Sequence, residues 1–266
     1  MDDARRPLRP FLPALAGAAL WALPAGAQGP GPEPFHLSLA YDGQLILKVL
    51  DIQVEETATA TGYSGQVRLK SSGVLAAFKR FDTRADAQGR LGQGQAWPSA
   101  FHSQNVDSKA NRRTTVAWTG SDVVATLSPP VHSMGDPPAD GTQKLEAVDP
   151  VTGVLRLALA AEPCGRTLKL FDGKQRYDLD FGPGSAARID TRELRLGLSG
   201  AVHCSVRFRE VAGFKKKPEA ERNQGLKHPI AITFARAGAN GPWVISSVSS
   251  QTPLGSATIT LQRVQR

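Results

Sequence analysis

Cys164 and Cys204 are the two cysteines of the 266-residue sequence. In a chain that leaves the cytoplasm, such a pair most simply forms a disulfide. Each lies in phase with the apolar residues of its own segment, so a bridge would be buried under a sheet. It would close a loop of about 41 residues, worth about 4 kcal/mol on chain-entropy grounds. A redox-active pair would instead place two cysteines close together at a helix start. The five histidines, His36, His102, His132, His203 and His228, show neither HExxH nor a spacing that sets two on one face, so no metal or cofactor site is signalled. Neither GxSxG nor SxxK occurs, which removes two common signatures of exported serine enzymes. GPGSAA at 182–187 matches a loose dinucleotide fingerprint, but no convincing helix follows it.

Asp178 and Asp180 share a strand face, about 7 Å apart by strand geometry. Retaining glycosidases hold their carboxyls about 5 to 5.5 Å apart, and inverting ones need a deep cleft. With Lys169, Lys174 and Arg176 alongside, the two aspartates read as a solvated salt-bridge face. The segment CGRTLKLFDGKQRYDLDF that carries them folds about Asp172-Gly173 as a two-residue hairpin turn. Leu168 then faces Tyr177, and Cys164 faces Phe181. One face gathers Cys164, Leu168, Leu170, Tyr177, Leu179 and Phe181, and the other gathers the charges, Arg176 among them. Arg166 and Gln175 are the exceptions, in phase with the apolar side, and Arg166 is a candidate for a buried partner or a ligand's anionic group. Arg176, Tyr177 and the run Lys215-Lys216-Lys217 complete the candidate contacts. The lysine run reads as a solvated loop or as a contact for lipid phosphate or anionic polymer.

These side chains need a scaffold, and period-two alternation supplies it. Leu45, Leu47 and Val49 share one phase, as do Val116 and Trp118; Val123, Ala125 and Leu127; Val202, Cys204, Val206 and Phe208; Ile230, Ile232 and Phe234; and Ala257, Ile259 and Leu261. Such alternation marks half-buried strands. Turn formers separate them at Asp42-Gly43, Asp172-Gly173, Gly182-Pro183-Gly184 and Asn240-Gly241-Pro242. Twelve to fourteen strands are expected, in a large antiparallel sheet that must curl or close to cover its apolar face. The segment DPVTGVLRLALAAEPCG breaks the rhythm. With Asp149 or Thr152 as N-cap and Pro163 as stop, it predicts a helix of about ten residues that plugs the curled sheet. The proline-rich stretch 128–141 is the best internal loop or hinge.

The amino terminus carries Arg5, Arg6 and Arg9 before a short apolar run, then Ala25-Gly26-Ala27, the pattern of a secretory signal peptide over residues 1–27. The expected mature chain, 28–266, is one β-rich domain located in the periplasm. The leader carries three of the 32 basic and two of the 24 acidic side chains, leaving 29 against 22, a net charge of +7. Such mild basicity suits solubility or attraction to anionic lipid and polymer, whereas exported proteins rarely meet nucleic acid.

Several strings together resemble the domain-of-unknown-function family 3108 of exported proteobacterial proteins. They are Asp149-Pro150 with Thr152, Cys164 leading into LFDGKQRYDL, Cys204 within AVHCSVRF, Ala212-Gly213-Phe214-Lys215, and TPLGSATITL at 252–261. The resemblance implies an open or incompletely closed barrel without established enzymatic activity, broadly similar to periplasmic half-barrel carriers. The expected function is a non-enzymatic envelope protein that binds a lipid, a lipoprotein or an envelope partner on a curved sheet. A glycan or peptidoglycan hydrolase and a purely structural interaction module are the alternatives.

Overall fold

The computed structural model describes residues 33–107, 111–216, 229–252 and 255–266. The leader 1–27, Lys217 and His228 lie outside the described residues.

Seven strands run first, each antiparallel to the next: β1 (Phe35–Gln44), β2 (Lys48–Ala58), β3 (Gly62–Ser71), β4 (Phe81–Gly92), β5 (Gln95–Asp107), β6 (Arg112–Trp118) and β7 (Val123–Ser128). Helix α1 (Gly73–Phe78) links β3 to β4. After β7 come α2 (Gly141–Leu145) and α3 (Pro150–Ala158). The second half contains β8 (Thr167–Phe171), β9 (Arg176–Phe181), β10 (Ser185–Ala187), α4 (Thr191–Arg195), β11 (Leu198–Ala212), β12 (Ile230–Ala237), β13 (Trp243–Thr252) and β14 (Gly255–Gln265). Strand β14 returns to pair with β1 and joins both halves into one sheet, ordered β7-β6-β5-β4-β3-β2-β1-β14-β13-β12-β11-β9-β8, with β10 also on β11. The end strands β7 and β8 do not pair, so the barrel is not closed. The β8–β9 tip nevertheless approaches β6, since a Cβ on Gly173 would lie 2.3 Å from Thr114 Cγ2.

Helix α3 forms where the sequence predicts it. Asp149 is the N-cap and accepts from the Thr152 N–H at 2.8 Å, and Pro150 opens the first turn. Its apolar residues point two ways, as a buried plug requires. Val151 and Leu155 join Tyr63, Phe101, Val116 and Phe171 in one core cluster, while Leu157 joins Leu168, Phe181, Val206, Phe234 and Trp243 in another. Each such aliphatic side chain contributes about 1.5 to 3 kcal/mol by leaving water. A third cluster, Leu37, Leu39, Tyr41, Val54 and Leu261 with Leu198, Ala235 and Val244, takes partly buried Ile189 and Leu196 from either side of α4. There Arg192 of α4 donates to the Leu261 carbonyl, and Glu193 accepts from Ser246. Only α3 of the four described helices is announced by the sequence, because the other three have five or six residues.

Two turns fall elsewhere than expected. Asp42 and Gly43 lie inside β1, and the chain reverses at Leu45, Ile46 and Leu47, which therefore are not strand residues. Gly43 sits opposite Leu50, with room for no side chain: a Cβ would lie 2.7 Å from Leu50 Cβ. The β8–β9 turn is centred on Gly173-Lys174, one residue later than expected. Gly173 takes φ 98°, and the Asp172 N–H bonds the Gln175 carbonyl. A glycine at the first central position meets the type II′ requirement for positive φ there. The shift pairs Leu168 with Leu179 and Leu170 with Tyr177. Moving the turn by one residue changes each partner by two, so the apolar side chains keep their face.

The disulfide Cys164–Cys204 is formed, with the Cα atoms 6.1 Å apart. It ties the entrance of β8 to β11 where β9 gives way to β10 as neighbour of β11.

Candidate functional site

The expected charged face of the β8–β9 hairpin is overturned in part. Arg176 and Asp178 are each only 3 % exposed. The reason is the 141–148 segment, which crosses this face: the Arg176 Nε donates to the Gln143 carbonyl at 3.0 Å, and Val148 bridges Leu170 on the free edge of β8. Arg176 pairs with Asp178, which in turn pairs with the more exposed Arg209. Asp180 accepts from Thr167 at 2.7 Å and from Arg209 at 3.3 Å. The two aspartates are thus held by cations as an ion network, one member of which is inside the protein. Tyr177 is half-buried and stacks on Phe208 with centroids 5.0 Å apart. Lys215 is exposed, and Lys216 lies 3.9 Å from Asp136.

Interior carboxyls are built into the core. The Tyr63 hydroxyl is 2.5 Å from Thr152 Oγ1, which donates to Asp149 Oδ2 at 2.5 Å. Burial lifts Asp149 to about 6 against these donors. Glu56 on β2 lies between Leu37 and Gly65 on the neighbouring strands, in phase with Val54 and Ala58. Its Oε1 has no hydrogen-bond partner among the described residues. Burial pushes its carboxyl up to about 8, so it is neutral at pH 7.

Two open concavities lie at the rim where α3 meets the β4–β5 and β6–β7 turns, and shallower ones lie on the face of β1–β4 among Gln53, Arg68 and their neighbours. The larger, about 650 Å³, is lined by Arg90, Trp97, Pro98, Trp118, Leu145 and Arg156, among others. Trp97 enters β5 just after the tight turn at Gln93 and Gly94, which have φ of 51° and 71°. A β-bulge then sets Gly89 opposite Pro98. Gly89 is required there, because a Cβ would come within 2.0 Å of the Trp97 carbonyl oxygen. Trp97 is 52 % exposed, and Leu145 is exposed beside it. The Arg156 guanidinium lies 5.2 Å from the Trp97 ring centroid, and its Nε donates to the Ala96 carbonyl at 2.8 Å. Desolvation lowers the pKa of Arg156, opposed by Tyr63 and Asp149. The Trp118 Nε1 is buried without a partner among the described residues.

Arg156 also lines a second cleft of about 320 Å³, with Gln93, Gln95, Arg166, Thr167 and Leu168. Arg166 is exposed, and its guanidinium has no hydrogen-bond or ion-pair partner among the described residues. Of the described residues singled out from sequence, Arg166 lines one of these two clefts; Arg176, Tyr177, Lys215 and Lys216 line neither. Sequence reasoning missed Trp97, Trp118 and Arg156 as a group. One signal was available: Arg156 is the sole cation of an otherwise apolar helix.

The two clefts join aromatic and aliphatic surface to cations. The larger one's lining contains a single carboxylate, Glu146, held by Lys169 at 2.6 Å. Such a surface can bind an amphipathic anion, and it has no second carboxyl for acid–base work. Among the described residues there is no cluster of three metal-ligating side chains and no helix long and apolar enough to cross a membrane.

No family model and no curated protein matches the chain. Among solved structures it is similar to a β-barrel-like protein of the domain of unknown function DUF1849 from Brucella abortus, at 13 % identity and a TM-score of 0.50. The match covers 86 % of this chain and 97 % of that one. The shared property is a mostly antiparallel, β-barrel-like fold, and the likeness is to a family of unknown function; the 3108 family expected from the sequence is not shown by these comparisons.

Proposed function

We propose that this protein is a non-enzymatic, periplasmic protein of the cell envelope that binds an amphipathic anionic envelope molecule, a lipid or the lipid-bearing part of a partner, at the Trp97–Trp118 rim. The observation that carries this reading is the cleft of about 650 Å³ in which two indoles, Leu145 and the Arg156 guanidinium converge. Indole faces supply apolar area at small entropic cost, and the cations Arg90, Arg156 and neighbouring Arg166 favour a negative group. The curved sheet then acts as a rigid frame. Its interior is occupied by α3 and the core clusters, which favours docking at the rim over an acyl chain laid along the concave face. A disulfide suits an oxidising compartment such as the periplasm.

The test is mass spectrometry of gently extracted protein, together with indole emission during titration with an envelope lipid extract and, separately, with soluble muropeptides. The expected result is a co-purifying lipid and an emission change with the lipid extract, both lost in Trp97→Ala. No co-purifying molecule and no emission change with either probe would overturn the reading. A response to muropeptides alone, with their cleavage, would point to the hydrolase.

A further inference from the structure

The β1–β2 turn carries two adjacent exposed aliphatic side chains, one of them the most exposed large hydrophobic residue among those described. Ile46 is 87 % exposed and Leu47 is 58 % exposed. A hairpin turn is ordinarily polar, since nothing at its tip rewards apolar groups for facing water. The turn is nonetheless well anchored. The Ser72 N–H donates to the Val49 carbonyl at 2.9 Å, bringing α1 against the start of β2. A Cβ on Gly73 would lie 2.2 Å from the Lys48 carbonyl oxygen, so only glycine permits this approach. Because neighbouring strands alternate in direction, the β1–β2 turn, α1 and the end of β5 share one rim. Val106 near the end of β5 is exposed as well.

Cations share the rim with this apolar tip. Lys48 lies beneath it, bonded to Asp42 at 2.7 Å and to Asp51 at 2.6 Å. Lys79 and Arg80 follow α1 directly and are exposed, as is Lys70 on β3. Asp82 opposite Lys70 is held by Arg68 and Arg84, and Asp107 ends β5, so six cations against four carboxylates leave a local excess of positive charge on the rim that bears the two aliphatic side chains. Apolar insertion flanked by Lys and Arg is the chemistry of attachment to an anionic lipid surface. The geometry points to a membrane-docking tip: Ile46 and Leu47 enter the interfacial region of an anionic leaflet while Lys79, Arg80 and Lys70 meet its head groups. This tip lies on a surface separate from the Trp97–Trp118 cleft and does not depend on it.

Flotation of the processed chain with phosphatidylcholine vesicles, with and without phosphatidylglycerol, tests the assignment. The wild type is expected to float with the phosphatidylglycerol vesicles, less so as salt is raised. The double variant Ile46→Asp, Leu47→Asp is expected to bind at least about tenfold more weakly, as loss of one buried aliphatic side chain alone would dictate. Lys79→Glu with Arg80→Glu is expected to abolish the preference for phosphatidylglycerol. All four positions are exposed, so an unchanged thermal melt verifies the fold of each variant. No flotation of the wild type, or equal flotation of the Ile46→Asp, Leu47→Asp variant, would overturn the assignment. So would a wild-type dimer, dissolved by that variant and indifferent to vesicles, which would make the tip a contact between two copies of the chain.

Discussion

Glu56 makes the stability of this protein depend on pH in a direction opposite to ordinary acid denaturation. The folded chain holds its proton to about pH 8, while an unfolded chain releases it near 4.5. Folding therefore takes up a proton between these values, and stability falls as the pH rises through that window. The slope is about 1.4 kcal/mol per pH unit, so the accumulated loss at pH 7.5 is about 3 to 4 kcal/mol. Glu56→Gln removes the ionisation while keeping the shape. Urea unfolding of both proteins at intervals from pH 5 to 8.5 measures the difference. The variant is expected to be the more stable by a margin that rises from about 1 kcal/mol at pH 5 to that figure at pH 7.5 and levels off at about 5 kcal/mol beyond pH 8. Asp149, lifted to about 6, contributes the same sign of dependence between 3.8 and 6 in both proteins. Its effect cancels in the comparison. Parallel stability curves for wild type and Glu56→Gln would refute the reasoning, because they would mean that Glu56 ionises at no cost inside the folded sheet.

Two further perturbations probe the second half of the sheet. Replacing Cys164 and Cys204 together by Ala should lower the unfolding free energy by about 4 kcal/mol, measured by urea unfolding under oxidising conditions, and the variant should lose the sensitivity to reductant shown by the wild type. Asp178→Ala leaves the buried Arg176 guanidinium without its carboxylate and should cost about 3 to 5 kcal/mol, whereas Arg176→Met with Asp178→Leu should recover most of that loss, since both charges then leave the interior together.

The strand register was legible where alternation alone decides it. Val202, Cys204 and Val206, or Ile230, Ile232 and Phe234, face the core as their period requires. The same phase argument put the two cysteines under one sheet, and the N-cap with proline at 149–150 marked α3. Turns were less legible. Asp42-Gly43 and Asp172-Gly173 both read as hairpin tips, yet Gly43 serves a close approach to Leu50, and Gly173 rather than Asp172 takes the first turn position. A glycine relieves crowding in a strand as readily as it permits a turn, and only the neighbouring strand distinguishes the two uses.

What the sequence by itself determined is the set of strand faces, the plug helix and the cysteine pair, because these follow from periods and caps that act within a few residues. Burial of Arg176 and Asp178 was decided by tertiary structure alone, since the cover comes from the 141–148 segment, more than 25 residues away in the chain. The rim cleft is likewise tertiary. Trp97, Trp118 and Arg156 belong to three elements, and they meet only because the sheet curls around α3. The exposure of Ile46 and Leu47 has the same origin: alternation counts them as strand residues, and the pairing of β1 with β2 leaves them at the turn. Local chemistry sets which way a side chain points, and long-range packing sets what it finds there.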